Sequence, residues 1–166
     1  MKIYFSHGKE SEPWGSKIKR LASIAKEIGC DVDSIDYRDT LDADVRVERL
    51  LNILKNEQDE IILVGSSMGG YVSLVVSEQV KAKALFLLAP ALFMEGYQKQ
   101  SYVSDCQNIE IVHGWSDEII PVAHSIQYAK AADCTLHLIS GDHRLMGSLD
   151  LVAALFQGFL ARIIQK

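Results

Sequence analysis

The sequence predicts an α/β fold, a three-layer sandwich of about six parallel strands with helices on both faces. Three observations carry this. Short apolar runs alternate with stretches of helical spacing along the whole chain. Most of the strand-like runs are apolar almost throughout, as strands buried on both faces must be. And one helical stretch, "MGGYVSLVVSEQV", is apolar nearly all round, so it belongs inside.

The strands are expected at "KIYFSH" (2–7), "DVDSIDY" (31–37, the weakest), "EIILVG" (60–65), "ALFLLAP" (84–90), "IEIVHG" (109–114) and "TLHLIS" (135–140). Between the first two, Ile18, Leu21, Ala25 and Ile28 share one helical face, and Gly29 supplies a stop. Val47, Leu50, Leu51 and Leu54 form a second stripe. The buried helix opens at Met68, a fourth runs from Val122 to Ala132, and Val152, Leu155, Phe156, Phe159 and Ile163 mark the last.

The chain has 166 residues, a length that suits one domain with one sizeable core over 1–166. Hydrophobic residues make up 48% and charged residues 23%, the balance of a globular protein in water. A net charge of −5 argues against a nucleic-acid partner, which needs a basic face. Cys30, Cys106 and Cys134 are odd in number and widely spaced, which fits reduced thiols rather than a disulfide framework. The sequence begins directly on a strand-like run, with no leader pattern, and no apolar run approaches the roughly 18 residues of a membrane span. A cytoplasmic protein with no membrane partner is the expectation. Oligomeric state is not legible.

In an open parallel sheet, ligands bind beyond the carboxyl ends of the strands. The residues that follow each strand therefore matter most. "GSSMGG" follows the third, "HGWSDEIIP" the fifth, and "SGDHRLMG" the sixth. Gly65-Ser66-Ser67-Met68-Gly69 fits G-x-S-x-G with Ser67 in register. A nucleophilic serine needs a sharp strand-to-helix turn that projects its oxygen, with small neighbours to permit the turn. The alternative is a plain strand–helix turn. The helix behind Ser67 also places partial positive charge where an oxyanion would form.

A serine hydroxyl needs a base, and imidazole serves near neutral pH. His143 lies in a polar, glycine-flanked loop after the last strand. His137 falls inside a strand, His124 starts a helix, and His7 and His113 end strands before glycines, where they can hold loops. The bland reading of His143 is a surface histidine. Asp117 is the candidate acid, which must accept from the imidazole and fix its tautomer. Asp105 and Glu118 are rivals. Asp142 adjoins His143, and its side chain is expected to point elsewhere. Capping the helix near Pro121 is the structural alternative for Asp117.

With Ser67, Asp117 and His143 in that chain order, the sequence resembles the α/β-hydrolase superfamily over nearly its whole length. "GSSMGG" resembles the nucleophile elbow, and "GDHR" the histidine loop. "HGWSDEIIP" is similar to the acid segment H-G-x-x-D-x-x-[IV]-P at His113, Gly114, Asp117, Ile120 and Pro121. "SHG" is similar to the oxyanion segment. The resemblance implies backbone N–H donors at Lys9 and Met68 for an oxyanion. It implies a chain that starts at the third strand of larger members, giving strand order 2-1-3-4-5-6. The short stretch Ala91 to Asn108 implies a compact esterase-like member without a cap domain.

The expected chemistry is acyl transfer from a small ester or thioester substrate to water. Trp14, Phe93, Met94, Tyr97 and Trp115 come from loops on the same edge and are candidates for an acyl pocket, with plain packing as the alternative. A non-catalytic binding protein on this scaffold, or other triad chemistry such as C–C hydrolysis or perhydrolysis, remains open. No G-x-G-x-x-G, P-loop or H-E-x-x-H pattern occurs, so no cofactor and no metal are expected.

Overall fold

A computed structural model describes residues 1–165. Six strands form one parallel sheet in the order β2-β1-β3-β4-β5-β6. In chain order they are β1 (Lys2–Ser6), β2 (Asp31–Ile35), β3 (Ile61–Ser66), β4 (Ala82–Leu88), β5 (Ile109–Gly114) and β6 (Thr135–Ile139). The helices are α1 (Ser16–Glu27), α2 (Ala43–Leu54), α3 (Met68–Val76), α4 (Val122–Ala132) and α5 (Leu149–Ile164). Both architecture and strand order are those the sequence predicts.

Side-chain alternation divides the core in two. Ile3, Phe5, Ile62, Val64 and Phe86 meet α1 and α5 on one face. Tyr4, Leu63, Leu85, Leu87 and Ile111 meet α2, α3 and α4 on the other. The first face closes on an aromatic group in which Phe86 lies 5.1 Å from Phe156 and 5.2 Å from Phe159. Every residue of α3 is buried, because the sheet lies under it and α2 beside it. The strand with the weakest pattern, β2, is an edge strand, where polar residues can face water.

Several boundaries shift for local reasons. β1 ends at Ser6 and β2 at Ile35 because His7 Nε2 accepts from the Tyr37 N–H at 3.0 Å, replacing ladder pairing. β4 runs from Ala82 to Leu88, two residues earlier than the apolar run, since Ala89 takes a positive φ of 41° before Pro90. α3 stops at Val76, where the Ser77 hydroxyl donates to Leu74 O at 2.6 Å and ends the helix. The stretch Met146–Ile164 is long and apolar enough to cross a membrane, contrary to the expectation from uninterrupted apolar runs. Its Val152, Phe156, Phe159, Leu160 and Ile163 are buried against the sheet, the inner face of an amphipathic helix whose Leu151 and Ile164 are exposed.

The connection from Ala91 to Asn108 has neither helix nor strand and forms no cap domain. Tyr97 packs tilted on Tyr71 at 4.6 Å, and Tyr102 packs on Phe93 at 5.2 Å and Tyr128 at 6.0 Å. The Tyr71 hydroxyl donates to Asp44 Oδ1 at 2.6 Å and accepts from the Lys99 N–H at 3.2 Å. These contacts tie the connection to α2 and α3. Cys30, Cys106 and Cys134 are free thiols.

Candidate active site

Ser67 stands between β3 and α3 with φ 55° and ψ −118°. That region is sparsely populated for a non-glycine residue and costs about 1–3 kcal/mol. The turn is held from three sides. The Ser67 N–H donates to Leu88 O at 2.9 Å, while Ser67 O accepts from the N–H groups of Gly70 and Ala91, both at 2.9 Å. Gly69 is required by close approach, since a Cβ there would lie 1.9 Å from Ser6 O. The elbow therefore lies directly on the end of β1.

His143 reaches Ser67 from the loop after β6. Its Nε2 lies 3.0 Å from Ser67 Oγ, and its Nδ1 lies 2.7 Å from Asp117 Oδ2. A carboxylate oxygen can only accept here, so Nδ1 carries the proton and Nε2 offers its lone pair to the serine hydroxyl. The His143 side chain is 20% exposed and that of Asp117 fully buried. Two features hold the loop. Asp142 Oδ1 accepts from the Arg144 and Leu145 N–H groups at 3.1 and 3.0 Å, so this carboxylate turns away from the imidazole. Lys17 Nζ donates to Arg144 O at 3.1 Å. Gly114 lets the β5 end approach, since a Cβ there would lie 2.3 Å from Gly141 O.

Asp117 receives four hydrogen bonds. Oδ1 accepts from the Ile119 and Ile120 N–H groups, each at 2.8 Å. Oδ2 accepts from His143 and, at 2.9 Å, from His113 Nε2. Burial works against its charge, but the bonds from His143, Ile120 and Ile119 outweigh it and hold the carboxyl below its ordinary value. His113 is fully buried, and burial, partly offset by Asp117, keeps its imidazole pKa below the ordinary value. With Nε2–H facing Asp117, neutral His113 accepts at Nδ1 from the Ser125 hydroxyl at 2.7 Å. The Asp117 side chain thus braces its own turn and faces two imidazoles at once.

The loop after β1 completes the edge. A Cβ on Gly8 would lie 3.6 Å from Ser67 Cβ, which places the 7–9 loop alongside the serine. Gly8 O accepts from His7 Nδ1 at 2.8 Å. His7, fully buried at its Nε2 end against Tyr37, has its pKa lowered chiefly by burial. Met68 opens α3, so its N–H is among those a helix leaves without an internal partner. The guanidinium of Arg46, from α2, donates to Gly8 O and Lys9 O at 3.1 Å each. No pattern in the sequence singles out Arg46 or Ser125.

The aromatic candidates separate into two groups. Phe93 and Tyr97 lie half-buried in the cluster that ties down the 91–108 connection, and Met94 is half-buried beside them. Trp14 and Trp115 are exposed, at 37% and 58%. Of the other histidines, His137 bonds Glu110 at 2.9 Å and His124 packs on Phe93 at 5.8 Å. Among the described residues no group of three or more His, Cys, Asp or Glu is placed to hold a metal ion.

Comparison with known proteins fits this geometry. The profile of an uncharacterised protein family, UPF0227, matches residues 1–103. No curated protein matches the chain. Among solved structures, a Xanthomonas campestris pv. campestris protein assigned to the alpha/beta hydrolase superfamily is 32% identical. The alignment has a TM-score of 0.89 and covers 97% of this chain and 98% of that one. Est1E from Butyrivibrio proteoclasticus is 20% identical with a TM-score of 0.84, covering 99% and 88% of the two chains. A serine hydrolase without a lid, also from Xanthomonas campestris, is 18% identical with a TM-score of 0.71, covering 96% and 81%. The last two share the fold.

Proposed function

The chain belongs to the α/β-hydrolase superfamily and to the family UPF0227, and from that premise we propose that it is a serine hydrolase of small esters or thioesters. One observation carries the reading. Ser67 Oγ, in its strained turn, lies 3.0 Å from the unprotonated nitrogen of an imidazole whose other nitrogen lies 2.7 Å from buried Asp117.

The steps follow from that arrangement. Ser67 Oγ attacks the acyl carbonyl while His143 Nε2 takes the hydroxyl proton. The carbonyl oxygen becomes an oxyanion, which the Lys9 and Met68 N–H groups accommodate beside the α3 N-terminus. The intermediate collapses, and the alcohol or thiol leaves with the proton from His143. A water then attacks the acyl-enzyme with His143 again as base, releasing the acid and restoring Ser67. Throughout, Asp117 fixes the Nδ1–H tautomer and stabilises the imidazolium.

Short p-nitrophenyl esters and a fluorophosphonate probe test the reading. The wild type is expected to turn over at least one acyl substrate and to be labelled at Ser67, and Ser67→Ala to lose both. A wild type inert toward every acyl substrate, with Ser67 unlabelled, would point instead to a non-catalytic binding protein on this scaffold.

A further inference from the structure

Arg46 is a fully buried cation in an apolar stripe. It stands on the α2 face that also buries Ala43, Val47, Leu50 and Leu54, where an aliphatic side chain would pack without cost. Taking a guanidinium out of water is expensive unless it is compensated. Here the compensation comes from backbone carbonyls. Nη1 donates to Gly8 O at 3.1 Å and His7 O at 3.3 Å. Nη2 donates to Thr40 O at 2.8 Å, Lys9 O at 3.1 Å and Tyr37 O at 3.4 Å. Nε donates to Thr40 O at 3.1 Å, and the Tyr37 ring lies 5.2 Å from the guanidinium carbon.

Three of these acceptors are consecutive, at His7, Gly8 and Lys9, in the loop that runs beside Ser67. The middle one matters most. The carbonyl of Gly8 and the N–H of Lys9 belong to one trans peptide, so they point in opposite directions. Holding Gly8 O from the α2 side turns the Lys9 N–H away from α2. A cation on that carbonyl also draws electron density from the peptide, which makes the N–H a stronger donor.

We propose that Arg46 is a positioning residue for the oxyanion site, gripping the 7–9 carbonyls so that the Lys9 N–H is aimed at the acyl oxygen and strengthened as a donor. The proposal rests on the serine-hydrolase reading above. It also explains why a buried cation occupies a place where methionine or leucine would serve stability.

Arg46→Met and Arg46→Lys test it, with an acyl substrate and two ligands. A trifluoromethyl ketone adds Ser67 Oγ and forms a bound oxyanion; a methyl ketone of the same shape does not. In Arg46→Met, kcat is expected to fall about 100-fold with KM within about two-fold, as for a displaced oxyanion donor. Trifluoromethyl ketone affinity should fall with kcat, while the methyl ketone binds as to the wild type. Arg46→Lys, which keeps the charge but not the fork, should fall between, and it carries the test alone if Arg46→Met does not fold. Folded variants that keep wild-type kcat and trifluoromethyl ketone affinity, losing only thermal stability, overturn the proposal. A wild type that neither turns over nor labels overturns the hydrolase reading instead. The Lys9 backbone amide resonance then decides: a shift in Arg46→Lys supports the grip on that peptide, and an unmoved resonance overturns it.

Discussion

Asp117 Oδ2 accepts from two imidazoles, and the two are not equivalent. His143 is 20% exposed and can gain a proton during a reaction, whereas His113 is fully buried and held neutral. His113 therefore fixes the carboxylate without competing for its charge, and Ser125 fixes the tautomer of His113. This makes the carboxylate hard to replace. In Asp117→Asn, an amide N–H₂ facing Nδ1 would force the proton onto Nε2, where it blocks acceptance from Ser67. The expected loss in kcat is about ten-thousand-fold, the size associated with a wrong-tautomer imidazole. Steady-state kinetics on an activated ester, with circular dichroism to show an intact fold, would measure it. A loss below ten-fold would mean that Asp117 serves only the turn at Ile119 and Ile120.

At the scale of elements, the elbow works by proximity. Ser67 alone separates the end of β3 at Ser66 from the start of α3 at Met68, and a Cβ at Gly69 would lie 1.9 Å from the Ser6 carbonyl oxygen of β1. Gly69→Ala would drive a methyl into backbone that cannot rotate away. Overpacking typically costs about 1–3 kcal/mol, and a backbone obstruction belongs at or above the upper end. Either β1 or α3 must move, so chemical denaturation should show at least that loss, and fluorophosphonate labelling of Ser67 should slow in the folded fraction. Wild-type stability in Gly69→Ala would show that the contact relaxes freely. The motif positions that flank Ser67 thus act on the sheet as much as on the serine.

For the whole molecule, the buried titratable groups make stability depend on pH with a definite sign. His7 and His113 have folded values lowered chiefly by burial. The unfolded chain then binds protons more readily than the folded one below the ordinary histidine value of about 6.5, so stability falls as pH drops from there toward the folded values. Asp117 has a folded value lowered by its hydrogen bonds despite burial. Its contribution is present above the ordinary aspartate value of about 3.9 and is lost as pH falls below that toward the folded value. Thermal denaturation should therefore give a Tm that is level just above pH 7, declines through the histidine window, and declines again in the acid range. A Tm unchanged between pH 7 and pH 5 would contradict the neutral, buried state of both imidazoles.

The sequence alone determined the alternation of strands and helices, because apolar periodicity and side-chain type act locally. It also placed Ser67, Asp117 and His143 at strand ends, where a parallel sheet gathers its loops. It did not reveal Arg46, which reads as one more charge on an amphipathic helix until the carbonyls of a loop 37 to 39 residues earlier take its hydrogen bonds. Nor did it reveal that Phe93 and Tyr97 pack with Tyr102 and Tyr71, since aromatic residues in a connection carry no sign of what they will touch. The tertiary structure decided these matters and the distances within the site. Those depend on crossovers and close backbone approaches, at Gly69 on β1 and at Gly114 on Gly141, that bring together residues with no local relation in the chain.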